Sequence, residues 1–291
     1  MFKGTYTALI SPFKNDLSID EEALEILIEE QVAAGIEGLV VCGTTGEAPT
    51  LLEDEHLYLI KRVAEIANGR IKVIAGTGAN STAEAVERTR NAAKYGIDGT
   101  LQVSPYYNKP SQEGIYQHFK AISEAEKDLP MILYNVPGRT ACNMELDTIC
   151  RLAELDNVVC LKDASGSVCQ FMEVYRKVQK DNFTILSGDD ALSLAFGVHG
   201  SAGVISVASN LFPKEIKELT DAILSDDYLR AKELHYKYLD FFVACFFDCN
   251  PSAIKTLMKL KGKSNGKLRL PLIEVDGQYL EQMKEILVNL D

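Results

Sequence analysis

Three stretches of the chain repeat one pattern: Gly35-Ile36-Glu37-Gly38 ahead of Leu39-Val40-Val41-Cys42-Gly43, Gly96-Ile97-Asp98-Gly99 ahead of Thr100-Leu101-Gln102-Val103-Ser104, and Gly200-Ser201-Ala202-Gly203 ahead of Val204-Ile205-Ser206-Val207-Ala208. Each reads as a helix that ends at a glycine, turns tightly and enters a buried strand. Working outward, five more short apolar runs have the same character: 5–10 (TYTALI), 72–78 (KVIAGTG), 131–136 (MILYNV), 158–163 (VVCLKD) and 183–188 (FTILSG). The runs are continuously apolar and rich in Val and Ile, as parallel strands covered on both faces must be.

Between the runs lie helices. Ser18-x-x-Glu21, Thr50-x-x-Glu53 and Ser81-x-x-Glu84 fit the capping-box pattern, and Leu24, Leu27, Ile28 and Val32 follow the first at helical spacing. Strand ends recur about every 26 to 33 residues through most of the chain, the cadence of βα units. Eight such units predict a closed (β/α)₈ barrel, a TIM barrel, in the α/β class. An open dinucleotide-binding sheet would want a third glycine in Gly76-Thr77-Gly78-Ala79-Asn80-Ser81, and the third glycine is missing. From Pro213 the pattern is purely helical: 213–225, 227–247, 252–260 and 278–290. The expected organisation is therefore a catalytic barrel over 1–224 and a C-terminal helical region over 225–291, docked on the barrel because no Pro/Ser linker divides them.

The 291 residues carry a net charge of −12. Such a chain repels phosphate backbones and anionic surfaces, so neither nucleic acid nor membrane is an expected partner. No apolar run approaches the length of a membrane span, and Met1-Phe2-Lys3-Gly4 has no signal-peptide character. The expected location is cytoplasmic. Seven cysteines are scattered with no C-x-x-C pair, and Cys245 and Cys249 have no nearby His. Buried free thiols are expected, and no metal.

In such a barrel the chemistry sits at the C-terminal ends of the strands. Those ends read Gly43-Thr44-Thr45-Gly46-Glu47, Ser104-Pro105-Tyr106-Tyr107, Tyr134-Asn135-Val136-Pro137-Gly138-Arg139, Lys162-Asp163-Ala164-Ser165, Ser187-Gly188-Asp189-Asp190 and Ile205-Ser206. Lys162 ends an otherwise apolar strand. Taken alone it is a lysine reaching out of a strand terminus, but an amine desolvated there is a nucleophile. Tyr134 ends the preceding strand and offers a phenol for proton transfer. Arg139 follows a Pro-Gly turn, placed to take a carboxylate in both oxygens. Thr44 and Thr45, between glycines, form an anion-binding turn without the Gly-Lys-Ser/Thr ending of a phosphate loop. Amine, phenol and two carboxylate sites together read as ketoacid chemistry by iminium formation.

The motifs at 43–47 (GTTGE), 75–80 (AGTGAN), 104–119 (SPYYNKPSQEGIYQHF), 134–140 (YNVPGRT), 162–166 (KDASG), 187–190 (SGDD) and 203–207 (GVISV) resemble, in order and over essentially the whole chain, the pyruvate-dependent class I aldolase and lyase superfamily. Within it they look like the dihydrodipicolinate synthase family. That resemblance implies condensation of pyruvate with aspartate semialdehyde, opening lysine and diaminopimelate biosynthesis, without a cofactor. Residue by residue, it implies that Lys162 forms the Schiff base, with Tyr134, Thr45 and Tyr107 as the proton relay. Tyr107 then acts across a subunit interface. It also implies that Thr44 and Thr45 hold the pyruvate carboxylate, Arg139 the carboxylate of the aldehyde, and Gly188 and Ile205 contribute near the ketoacid. A homo-oligomer is implied, expected as a tetramer built from two dimers. An effector site for lysine matches Ala48, Pro49, Glu53, His56, Asn80, Glu84 and Tyr106. Ala48 and Glu53 depart from the Ser and His of strongly regulated relatives. A further departure is Asn250-Pro251-Ser252-Ala253-Ile254-Lys255, which lacks the family's second proline and is expected to loosen a loop there. The rivals are a sister lyase acting on sialic acid or keto-deoxy sugar acids, which Arg139 and Thr44 disfavour, and a catalytically silent binding barrel.

Overall fold

A computed structural model describes residues 2–178 and 180–290. Eight strands alternate with helices: β1 (Gly4–Ala8), α1 (Glu21–Ala33), β2 (Gly38–Val41), α2 (Glu53–Ala67), β3 (Lys72–Gly76), α3 (Thr82–Ala93), β4 (Gly99–Val103), α4 (Gln112–Ala125) and β5 (Met131–Asn135). There follow the single turn α5 (Pro137–Thr140), α6 (Leu146–Ala153), β6 (Val158–Asp163), α7 (Val168–Lys177), β7 (Thr184–Ser187), α8 (Ser193–Val198), β8 (Gly203–Ser206) and α9 (Pro213–Leu224). All neighbouring strands are parallel and β1 pairs with both β2 and β8, which closes the barrel. Gly35, Gly96 and Gly200 all have left-handed backbone, as the repeated helix-glycine-strand pattern requires.

Alternate residues of the strands face inward. Tyr6, Val40, Ile74, Leu101, Ile132, Cys160, Leu186 and Ile205, one from each strand, are all buried in one cluster inside the barrel. Tyr134 is two residues beyond Ile132, and Lys162 two beyond Cys160, so strand periodicity turns both to the same interior. Their strands also pair with Tyr134 opposite Lys162. The outward residues meet the helices in two further apolar clusters.

Only one of the three expected helix starts has the expected cap. Ser81 Oγ accepts the Glu84 N–H. α1 is capped instead by Asp20, whose Oδ1 accepts the Ala23 N–H at 3.2 Å. α2 starts three residues after Thr50, and Glu55 accepts the Leu52 N–H at 3.0 Å. In both cases an acidic residue nearer the first turn outcompetes the sequence-distant hydroxyl. The cysteines also divide: Cys42, Cys160 and Cys245 are buried, Cys142, Cys150 and Cys249 half-buried, and Cys169 exposed.

The C-terminal helices α10 (Tyr228–Ala244), α11 (Ser252–Leu260) and α12 (Gly277–Leu290) pack on one another and, through α9, on the barrel. Their polar anchors are substantial. Arg269 grips Glu55 in both oxygens at 2.5 and 2.6 Å and donates to the carbonyls of Leu17 and Thr50. Ser252 and Ala253 form the buried first turn of α11. Ala253, standing where the family has its second proline, therefore falls in the first turn of a helix and not in a loop, and its N–H, which a proline would lack, donates to the Cys249 carbonyl at 2.9 Å.

Candidate active site

The strand ends open into a cavity of about 410 Å³, lined by Thr44, Thr45, Tyr134, Arg139, Lys162 and Gly188 among others. Lys162 is 6% exposed, and its Nζ stands 4.2 Å from the centre of the Tyr134 ring. Burial drives the amine down to about 7; Asp190 and Asp189 oppose the shift and Arg139 reinforces it. A lysine that titrates there is a nucleophile at neutral pH. Burial also raises the Tyr134 phenol, so it remains a proton donor, while Arg139 and a hydrogen bond with Thr44 pull the other way.

That hydrogen bond revises the expected relay. The sequence reading gave the hydroxyl beside Tyr134 to Thr45. The structure puts Thr44 against Tyr134, and Thr45 Oγ1 accepts from Asn250 Nδ2 at 3.0 Å. Within the Thr44–Glu47 turn the two hydroxyls have different partners, Tyr134 for Thr44 and Asn250 for Thr45.

Gly188 shows why a glycine is needed at its position. A β-carbon there would lie 3.1 Å from Lys162 Cε and 2.9 Å from Ala164 Cβ. Only bare backbone admits the lysine side chain. Ile205 is fully buried in the barrel interior. Arg139, on the single turn α5, is exposed at the rim, and its Nη2 donates to the Asn250 carbonyl at 3.4 Å. Tyr107 is 89% exposed, with left-handed backbone, and a single chain leaves its phenol in solvent away from Lys162.

The residues of the expected effector set divide. Ala48, Pro49, Glu84 and Tyr106 line the same cavity as Lys162. Glu53 and Glu84 both bind Arg88, at 3.0 and 2.8 Å. Asn80 donates to the Tyr106 carbonyl at 3.1 Å. His56 is enclosed, with Nε2 2.9 Å from the Gly76 carbonyl.

Three residues near the site were not singled out from sequence. Asp190 is buried, with Oδ2 accepting the N–H groups of Val207 and Ala208 at 2.9 and 3.1 Å, and burial pushes its carboxyl up to about 6. Asn250 touches both Thr45 and Arg139, and Arg88 holds two carboxylates. The signal for Asn250 was its place in the Asn250–Lys255 motif. Arg88 stands four residues after Glu84, a spacing legible in the sequence, but no local pattern announced its other partner Glu53, and Asp190 stood in the Ser187–Asp190 motif with nothing to announce Val207 and Ala208.

The model of the Dihydrodipicolinate synthetase family matches residues 1–290. The chain is 46% identical over 285 residues to the 4-hydroxy-tetrahydrodipicolinate synthase of Koribacter versatilis, covering 98% of this chain and 94% of that protein. Its fold is similar to the dihydrodipicolinate synthase of Acinetobacter baumannii solved with pyruvate, with TM-score 0.97, 40% identity, and 100% and 99% of the two chains covered. It is equally similar to the enzyme of Cyanidioschyzon merolae solved with lysine bound, with TM-score 0.96, 41% identity, and 99% and 98% covered. With fold, site chemistry and sequence in agreement, the chain belongs to the dihydrodipicolinate synthetase family.

Proposed function

We propose that this chain is a lyase-class enzyme that condenses pyruvate with L-aspartate 4-semialdehyde to 4-hydroxy-tetrahydrodipicolinate, the entry to lysine and diaminopimelate biosynthesis. The observation that carries the reading is the Lys162 amine, buried against Tyr134 and lowered to about 7. The neutral amine adds to the pyruvate ketone, and Tyr134 donates the proton on which the hydroxyl leaves as water. A proton lost from the methyl group turns the iminium into an enamine. The enamine carbon attacks the aldehyde, whose substrate carboxylate is held by Arg139. The amine of the new chain then displaces Lys162 and closes the ring. Thr44 relays protons to Tyr134, while Thr45 and the turn around it hold the pyruvate carboxylate. Gly188 leaves room for the lysine.

The active assembly is a homo-oligomer, a dimer of dimers in the cytoplasm, in which Tyr107 completes the relay of a neighbouring copy. Its exposure and left-handed backbone support that assignment. Among the described residues no helix is long and apolar enough to cross a membrane. Lysine is the proposed effector at Ala48, Pro49, Glu53, His56, Asn80, Glu84 and Tyr106. The barrel unit is taken as 1–224 and the docked helical region as 225–291. Borohydride added with pyruvate should leave a reduced adduct on the peptide bearing Lys162, and in a separate assay the untreated enzyme should consume aspartate semialdehyde together with pyruvate. A label on another lysine would remove the mechanism.

A further inference from the structure

Glu47 closes the Gly43–Glu47 turn with left-handed backbone, φ 55°, and its side chain is completely enclosed. A carboxylate carried out of water needs donors around it. Two reach it, both from the C-terminal helical region. Lys255 Nζ bonds Oε1, and the backbone N–H of Arg269 bonds Oε2 at 3.1 Å. Lys255 is enclosed as well, donates to the Lys267 carbonyl at 2.9 Å and stands 4.3 Å over the Phe13 ring. The backbone of the turn is held locally by Glu47 N–H to the Thr44 carbonyl at 3.1 Å, Ala48 N–H to the Gly43 carbonyl at 3.3 Å, Thr50 N–H to the Glu47 carbonyl at 2.9 Å and the Ser11 hydroxyl to the Gly46 carbonyl at 2.7 Å. The Glu47 carboxylate and the Thr45 hydroxyl, which accepts from Asn250, are anchored from the C-terminal region. A left-handed glutamate keeps its backbone only while its surroundings over-determine it.

A buried ion pair is a poor stabiliser, since apolar residues of the same size often serve the fold as well. What it supplies is direction, because a charge-assisted bond fixes where its carboxylate stands. Neither Glu47 nor Lys255 lines the cavity, but Thr44 and Thr45, three and two residues before Glu47, do. We propose that the Glu47–Lys255 pair positions the Thr44–Thr45 turn to receive the carboxylate of a small ketoacid. The C-terminal helical region is then part of the ketoacid site through residues that never touch substrate. This inference rests on the ketoacid reading of the cavity.

The test uses the full chain and pyruvate. Glu47→Gln combined with Lys255→Met removes both charges and leaves neither partner buried alone. The expected result is a cooperative melt close to wild type, a KM for pyruvate raised about tenfold, and kcat changed much less, the pattern of weakened ground-state binding. Borohydride should still label Lys162 fully at saturating pyruvate. If the double variant fails to fold, Glu47→Gln alone, which keeps the shape, should show a smaller rise in the same constant. Lys259→Ala is the control: on the same helix as Lys255, it breaks the exposed pair with Glu274 and should leave KM unchanged. An unchanged pyruvate KM in a folded variant, a fall in kcat alone, or an equal rise in Lys259→Ala overturns the proposal. Absence of any pyruvate adduct in the wild-type chain would instead overturn the ketoacid reading, and this inference with it.

Discussion

Changing the pH between 5.5 and 9 tests the central claim about Lys162 directly. An amine with the ordinary pKa of 10.5 is neutral in about one molecule in 3,000 at pH 7, whereas one lowered to about 7 is neutral in about half. Burial therefore raises the nucleophilic population on the order of a thousandfold. The assay is rapid mixing with pyruvate, a borohydride quench at set times, and mass measurement of the peptide carrying Lys162. Pyruvate stays fully ionised over this range, so the profile reports the enzyme. The labelling rate should climb about tenfold per pH unit at the acid end, bend near 7 and flatten above about 8. Arg139 reinforces the depression, so Arg139→Ala should move the bend upward. The move should be small, because Arg139 is exposed at the rim and screened by solvent. A bend near 10, or a downward move in Arg139→Ala, would refute the desolvation account.

Arg139→Ala should also cut kcat/KM for the aldehyde about 10- to 100-fold while leaving pyruvate adduct formation within a few-fold, because a charge-assisted contact is worth about 1.5–3 kcal/mol; equal losses for both substrates would take Arg139 out of that role. A folded chain forced to be monomeric should lose most turnover, measured alongside its circular dichroism, since the Tyr107 phenol of one chain lies in solvent; full activity in a monomer would end that assignment. Lysine titrated against initial rate should give partial inhibition that Glu84→Ala abolishes, and inhibition untouched by the substitution would remove the effector site. His118 is buried and held down to about 4, against an ordinary 6.5, by burial. It is neutral in the fold at pH values where the unfolded chain would protonate it. Its contribution is therefore intact above 6.5 and is lost as the pH falls toward 4, about 2–3 kcal/mol by pH 4.5. His118→Gln should lose less stability than wild type between pH 7 and 4.5 in urea unfolding, and an equal loss would discount that burial.

The sequence by itself determined the strands and main helices and singled out the residues proposed to carry the chemistry. Eight apolar runs with glycine-terminated helices between them left no room for another sheet, because burial on both faces and left-handed glycines are local demands written in adjacent residues. Lys162, Tyr134, Arg139 and the Thr44–Thr45 turn were legible because each breaks the apolar pattern at a strand end. What only the tertiary structure decided are the pairings across large sequence distances. It assigned Thr44 to Tyr134 and Thr45 to Asn250, joined Glu47 to Lys255, and enclosed Asp190 behind Lys162. It also left Tyr107 exposed and spread the expected effector residues between the cavity, Arg88 and the enclosed His56. The physical reason is that a side chain's direction in a turn, and the water excluded around a charge, depend on groups tens to hundreds of residues away. Periodicity records which face of a strand is buried. It carries no record of what the rest of the fold brings to that face.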